Sequence, residues 1–171
     1  NNKTTADAIP ECYKRENIDV FVRQGVYTEK EVIARANINL ENYIKVINIE
    51  ALTMLEMGKQ DIYPAVNAYV AELCSVIAAK RAVSEKMSCK ADTALAEQLS
   101  KMNDAFADAI KKLEKDLSEM PAGEGPASQK MAHVIVPDMD AVRTLADGME
   151  KLCASDYWPY PTYTELLYSI R

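Results

Sequence analysis

The chain has 171 residues, 49% of them hydrophobic and 27% charged, with a formal net charge of −6 and a pI near 4.9. That length and apolar content suit one domain, or two small ones, around a sizeable core. The acidic balance argues against a nucleic-acid partner, because the paired cations Lys80-Arg81 and Lys111-Lys112 lie among acidic neighbours and build no positive patch.

Residues 1–14 (NNKTTADAIPECYK) show no periodicity and contain Pro10, which predicts an extended lead-in. Asn17 is the expected N-cap of a short helix through Ile18, Phe21 and Val22, with Gly25 as its left-handed stop. Thr28 and Glu31 form a capping box that starts a second short helix, reaching about Ala36. Ile38 to Met87 is the dominant stretch. Leu40, Tyr43, Ile44, Ile47, Ala51 and Leu55 recur at three- and four-residue steps, and the rhythm resumes after Pro64 with Val66, Tyr69, Val70, Leu73, Val76, Ile77 and Val83. Gly58 and Pro64 interrupt it. Either the chain reverses at Gly58, giving a compact four-helix bundle, or the helix continues and Pro64 kinks it. Residues 62–68 (IYPAVNA) resemble 135–141 (IVPDMDA), which no glycine precedes, and this favours a kink at both prolines.

Residues 92–120 form the cleanest helix, with Leu95, Leu99, Met102, Phe106, Ile110, Leu113, Leu117 and Met120 on one face and a stutter between Phe106 and Ile110. Residues 121–128 (PAGEGPAS) read as a flexible connection, and Ser128 as the cap of a helix carrying Met131, Ile135, Met139, Val142, Leu145, Met149 and Leu152. Short connections predict antiparallel neighbours. The last stretch, SDYWPYPTYTELLYSIR, holds the only tryptophan. Pro159 and Pro161 impose an extended path there, and Thr162 with Glu165 is a second capping box, for a final turn through Leu166, Leu167 and Tyr168. Aromatics this dense dock on protein, and Tyr157, Trp158, Tyr160 and Tyr163 are the interface candidates. The fold class is therefore all-α: an elongated helical bundle built on a long Pro-kinked helix, with short N-terminal helices and an aromatic C-terminal tail.

Cys12, Cys74, Cys89 and Cys153 form no CxxC and read as free thiols in a reducing cytoplasm. No uncharged apolar run reaches membrane-spanning length, so no membrane partner is expected. His133, the only imidazole, has no nucleophile or orienting acid at recognisable spacing and is expected to be structural or exposed. Glu114 and Asp116 point in different directions on a helix, which favours solvated charge over a metal site. Gly123-Glu124-Gly125 precedes no strand and is too short to cradle phosphate. The eight methionines fall at core spacing and read as gap-filling apolar residues.

Four segments carry a resemblance: KTTADAIP (3–10), LENYIKVINIEALTM (40–54), IYPA (62–65) and DYWPYPTYTELL (156–167). In order and spacing they resemble the C-terminal region of type III glutamine synthetase, across essentially the whole chain. The resemblance implies an ATP-dependent ligase joining ammonia to glutamate, in large double-ring oligomers, with magnesium or manganese at its site. The catalytic signatures of that family do not occur in these residues, so no catalytic, cofactor-binding or metal residue is assigned. The expectation is that residues 1–171 form one C-terminal helical domain of a longer chain, with an assembly or regulatory role. Its expected partners are the catalytic portion of the same chain and neighbouring subunits of a homo-oligomer. The alternative is a free-standing helical interaction module.

Overall fold

The computed structural model describes residues 2–161 and 163–168, and among them there are helices, turns and loops but no strand. The helices are α1 (Thr5–Ala8), α2 (Arg15–Arg23), α3 (Glu29–Met57), α4 (Tyr63–Val83), α5 (Lys90–Ser118), α6 (Glu124–Lys130), α7 (Val136–Glu150) and α8 (Tyr163–Tyr168). A 3-10 turn, Ile9–Tyr13, follows α1, and two π-helical turns, Gly58–Ile62 and Met131–Ile135, join α3 to α4 and α6 to α7. The bundle is all-α as expected. By contact it divides into two compact units, residues 1–54 with 112–139 and residues 55–111 with 140–171.

Both interruptions of the helical pattern have one cause. A proline inside a helix has no N–H to donate, and its ring collides with the carbonyl four residues back. Each proline here is preceded by a π turn, in which the bond skips one residue further. The N–H of Tyr63 donates to the Gly58 carbonyl, and the N–H of Val136 to the Met131 carbonyl. The wider turn gives the ring room, and the helix continues on either side. Glu29–Val83 is thus one helical run of 55 residues, and the reversal at Gly58 does not occur. The similarity of 62–68 to 135–141 marks the same device used twice. The core steps by four through both turns, at Gly58, Ile62 and Val66 and again at Ala127, Met131 and Ile135.

Several boundaries differ from the sequence reading. Residues 1–14 are not extended. The Thr4 hydroxyl accepts from the Asp7 N–H and the Asp7 carboxylate accepts from the Thr4 N–H, a capping box that winds the short α1. Asn17 is not the cap of α2; Lys14 holds that position, and the Asn17 amide donates to the Glu11 carbonyl. Gly25 ends α2 as expected, at φ 63°, with Val26 N–H donating to Phe21 and Gly25 N–H to Val22. The Thr28–Glu31 box forms, but its helix does not stop near Ala36 and becomes the start of α3. Gly123, at φ 90°, caps α6 in place of Ser128, which is buried one turn inside and donates to the carbonyl of Gly125. Thr162 lies outside the described residues, and with it the second expected capping box.

In the first unit, Ile9, Ala36 and Leu40 pack together, and the Gln129 amide donates to the Ala6 carbonyl, tying α1 to α6. In the second unit the seam of α5 runs through Ala96, Leu99, Asn103 and Phe106 to Ile110. Asn103 takes the place expected for Met102, whose methyl lies against Gly148 of α7. With Asn103 in the seam the steps alternate three and four without a stutter. The run Glu29–Val83 also contains an 18-residue window of mean hydropathy 1.4, long and apolar enough to cross a membrane by length and composition, of which 17% is buried. Tyr63 and Asn67 of α4 are hydrogen-bonded to Asn103 of α5.

Gly58 is a point of close approach: a Cβ there would lie 2.5 Å from Ile110 Cδ1 and 3.3 Å from Phe106. Gly58→Val is expected to destabilise the chain by about 1–3 kcal/mol through overpacking. Thermal unfolding followed by circular dichroism measures this, and Gly125→Val, which meets open space, is the control.

Candidate interaction site

The aromatic tail is the strongest candidate from the sequence, and the second unit shows where most of it lies. Tyr157, Trp158 and Tyr160 are each half-buried. The Tyr157 ring stands 5.2 Å from that of Tyr69 on α4, tilted by 43°, an aromatic pairing within the favourable range. The Tyr160 hydroxyl donates to the Asp61 carboxylate at 2.6 Å, in the π turn before Pro64. Partial burial, then the bond to Asp61 and its charge, push the Tyr160 hydroxyl up to about 12. Tyr163 begins α8, and its side chain lies outside the described residues. The prolines keep 159–161 out of helix, so the rings reach the long helix from an irregular segment. Past them, Leu166, Leu167 and Tyr168 are exposed.

Polar groups the sequence reading passed over form the second feature. In the first unit, Lys112 reaches Asp116 at 3.3 Å and is ion-paired to Asp138, which is buried just after Pro137. The hydrogen bond with Asp138, and then the Lys112 ammonium, hold the Asp116 carboxyl below its ordinary value. Asp116 is therefore not simply the solvated charge expected of it. In the second unit the Asn103 amide donates to the Tyr63 carbonyl at 3.3 Å and to Asn67 at 3.0 Å. Asn103 Oδ1 and Asp138 Oδ2 are buried without a protein donor. The signal for Asn103 was its position four after Leu99 and three before Phe106. For Asp138 it was its place in the repeated proline motif.

His133 is exposed on the first unit, with Nε2 3.2 Å from Asp7. The Thr4 hydroxyl and then His133 lower the Asp7 carboxyl below its usual value. This is a tether between α1 and the second π turn, with no nucleophile beside it. Among the described residues, no group of three His, Cys, Asp or Glu side chains could hold a metal ion. Gly123-Glu124-Gly125 opens α6; of the methionines, Met131 and Met149 are fully buried as core filling requires, whereas Met87 is exposed. All four cysteines are free.

The polar groups of Asn103 and Asp138 tie helices together within each unit. Residues 1–81, just under half of the chain, match the family described as "Glutamine synthetase C-terminal domain". It is similar to a glutamine synthetase from Butyrivibrio fibrisolvens, 34% identical over the full chain and 25% of that protein. A type-3 glutamine synthetase from Dictyostelium discoideum is 23% identical over 98% of the chain and 24% of its own length. A glutamine synthetase from Bacteroides fragilis is 22% identical over 88% of the chain and 21% of its length. The chain thus spans about a quarter of the length of these relatives. No solved structure matches it.

Two variants probe these contacts. The raised Tyr160 value means that tail docking is fully present below pH 10, the ordinary tyrosine value, and is lost as pH rises toward 12. Emission of Trp158, the only tryptophan, is expected to shift to the red over that interval, and to be shifted already at neutral pH in Tyr160→Phe. The lowered Asp116 value means stability present above the ordinary carboxylate value and lost as pH falls through the lowered one. Lys112→Met removes the cation, so acid unfolding followed by circular dichroism should begin at a higher pH than in the unaltered protein.

Proposed function

We propose that residues 1–171 act as one helical module at the C-terminal end of a glutamine synthetase, serving assembly of the enzyme or access to its catalytic site. The observation that carries this reading is a well-patterned core without a catalytic constellation among the described residues, in a chain whose residues 1–81 match the C-terminal domain family. The parent enzyme would join ammonia to glutamate at the expense of ATP. The residues present do not fit ATP or a divalent metal: no acidic cluster converges among those described, and the only glycine pair flanks Glu124 at the start of a seven-residue helix. Magnesium or manganese and ATP therefore belong to the upstream portion in this reading, and no step of the reaction passes through this domain.

Its partners in this proposal are that upstream portion and neighbouring subunits of a homo-oligomer in the cytoplasm. Tyr157, Trp158 and Tyr160 retain accessible surface after docking on their own unit, and the adjoining Leu167 and Tyr168 are more than 70% exposed. Such groups anchor interfaces when a second surface completes their burial. The test begins with the open reading frame, which should encode a glutamine synthetase catalytic portion upstream of Asn1. The full enzyme should release phosphate from ATP with glutamate, ammonia and magnesium, and residues 1–171 alone should release none above blank. Deleting 1–171 from the full enzyme should lower its sedimentation coefficient. Robust turnover by 1–171 alone, or a start codon immediately before Asn1, refutes the reading.

A further inference from the structure

One face of α3 presents apolar side chains that stay more than half exposed. Ile38, Val46, Ile49 and Leu52 are 55%, 51%, 63% and 51% exposed, all within the first unit. At 100° per residue the four fall within about a third of the helix circumference. The opposite side already carries the core positions Ala36, Leu40 and Ala51, each under 5% exposed. A helix that is apolar on both sides is a buried helix, since a surface helix places charge opposite its core stripe. The polar groups along this outer stripe are Asn42, Lys45, which is drawn aside to Glu41 at 2.6 Å, and Thr53, which donates to the Ile49 carbonyl. One face of α3 is therefore covered within the unit and the other is fit to be covered.

We infer that the stripe Ile38–Val46–Ile49–Leu52 is the docking face for the polypeptide that precedes Asn1 in the longer synthetase, an inference that rests on the function proposed above. Two observations select this occupant over a second copy of the chain. Relatives of the chain have about three quarters of their length outside the matched part, so a large body of protein is available to cover it. The N-terminal segment also delivers that body to this place. Thr5 and Ile9 line a shallow groove together with Asn39, Asn42, Tyr43 and Val46 of α3, so the start of α1 lies beside the stripe. The capping box of Thr4 and Asp7, the Gln129 bond to Ala6 and the His133 contact with Asp7 hold α1 there. Polypeptide entering at Asn2 emerges next to the exposed apolar groups and covers them over a short path. Four side chains of this size make an anchor patch, not a whole interface, and the groove beside Val46 extends it.

The experiment uses the full-length enzyme. Ile49→Cys and, separately, Val83→Cys are labelled with a thiol reagent and quantified residue by residue by mass spectrometry, Val83 being 78% exposed outside the stripe. Position 49 is expected to react at least about tenfold more slowly than position 83, because thiol reactivity follows exposure. A photo-crosslinking residue at position 49 should join to peptides encoded upstream of Asn1. Equal labelling at the two positions overturns the inference, and so does crosslinking to residues 1–171 of another copy. A reading frame without upstream synthetase sequence sinks the proposed function itself. An intact upstream portion with rapid labelling at position 49 sinks only the docking face.

Discussion

The structure depends on how a helix accommodates proline. Pro64 sits in the longest helical run of the chain and Pro137 in the run that follows the glycine-rich connection, and each would break an ordinary α-helix at its own position. A π turn before each ring resolves the conflict by moving one backbone bond a residue further along. The consequence for the fold is large: Glu29–Val83 persists as a single helical run, carrying the buried stripe from Ala36 to Leu73 without a loop.

The same turns organise the buried polar chemistry. In the second unit the π turn brings Gly58 against Ile110 and Phe106, and the Asn103 amide meets the Tyr63 carbonyl just before Pro64. In the first unit Asp138, directly after Pro137, meets Lys112 and Asp116. Buried polar groups are tolerated only where they are paired, and these pairs single out one register of α5 against its neighbours within each unit. Their role is structural.

Those surfaces are of two kinds. The aromatic tail is partly satisfied already, by Tyr69 and Asp61, and keeps exposed area for a further contact. The outer stripe of α3 stays more than half exposed within its unit. An amphipathic helix needs only one apolar side in a domain that ends at its own surface. The second apolar side of α3 is what the proposed docking face rests on.

Much of this was legible from residues close together in the chain. Thr28 and Glu31, Gly25, the three-and-four rhythm from Leu40 onward and the twin proline motifs act over one or two helical turns, where residue type and spacing suffice to specify the outcome. The resemblance to glutamine synthetases was legible too, through segments such as LENYIKVINIEALTM, which fall within the matched residues 1–81. What could not be read is decided between residues far apart. Thr4 and Asp7 close a capping box in a segment that looked extended, and α1 is held by Gln129 and His133, more than a hundred positions away. Asn103 displaces Met102 from the seam because the Tyr63 carbonyl and Asn67 are there to pair it, while Gly148 leaves room for the methionine. Local rules set which stretches wind into helix. Only packing chose which face of each helix is interior, since burying a polar group is favourable only when its partner has already been brought alongside.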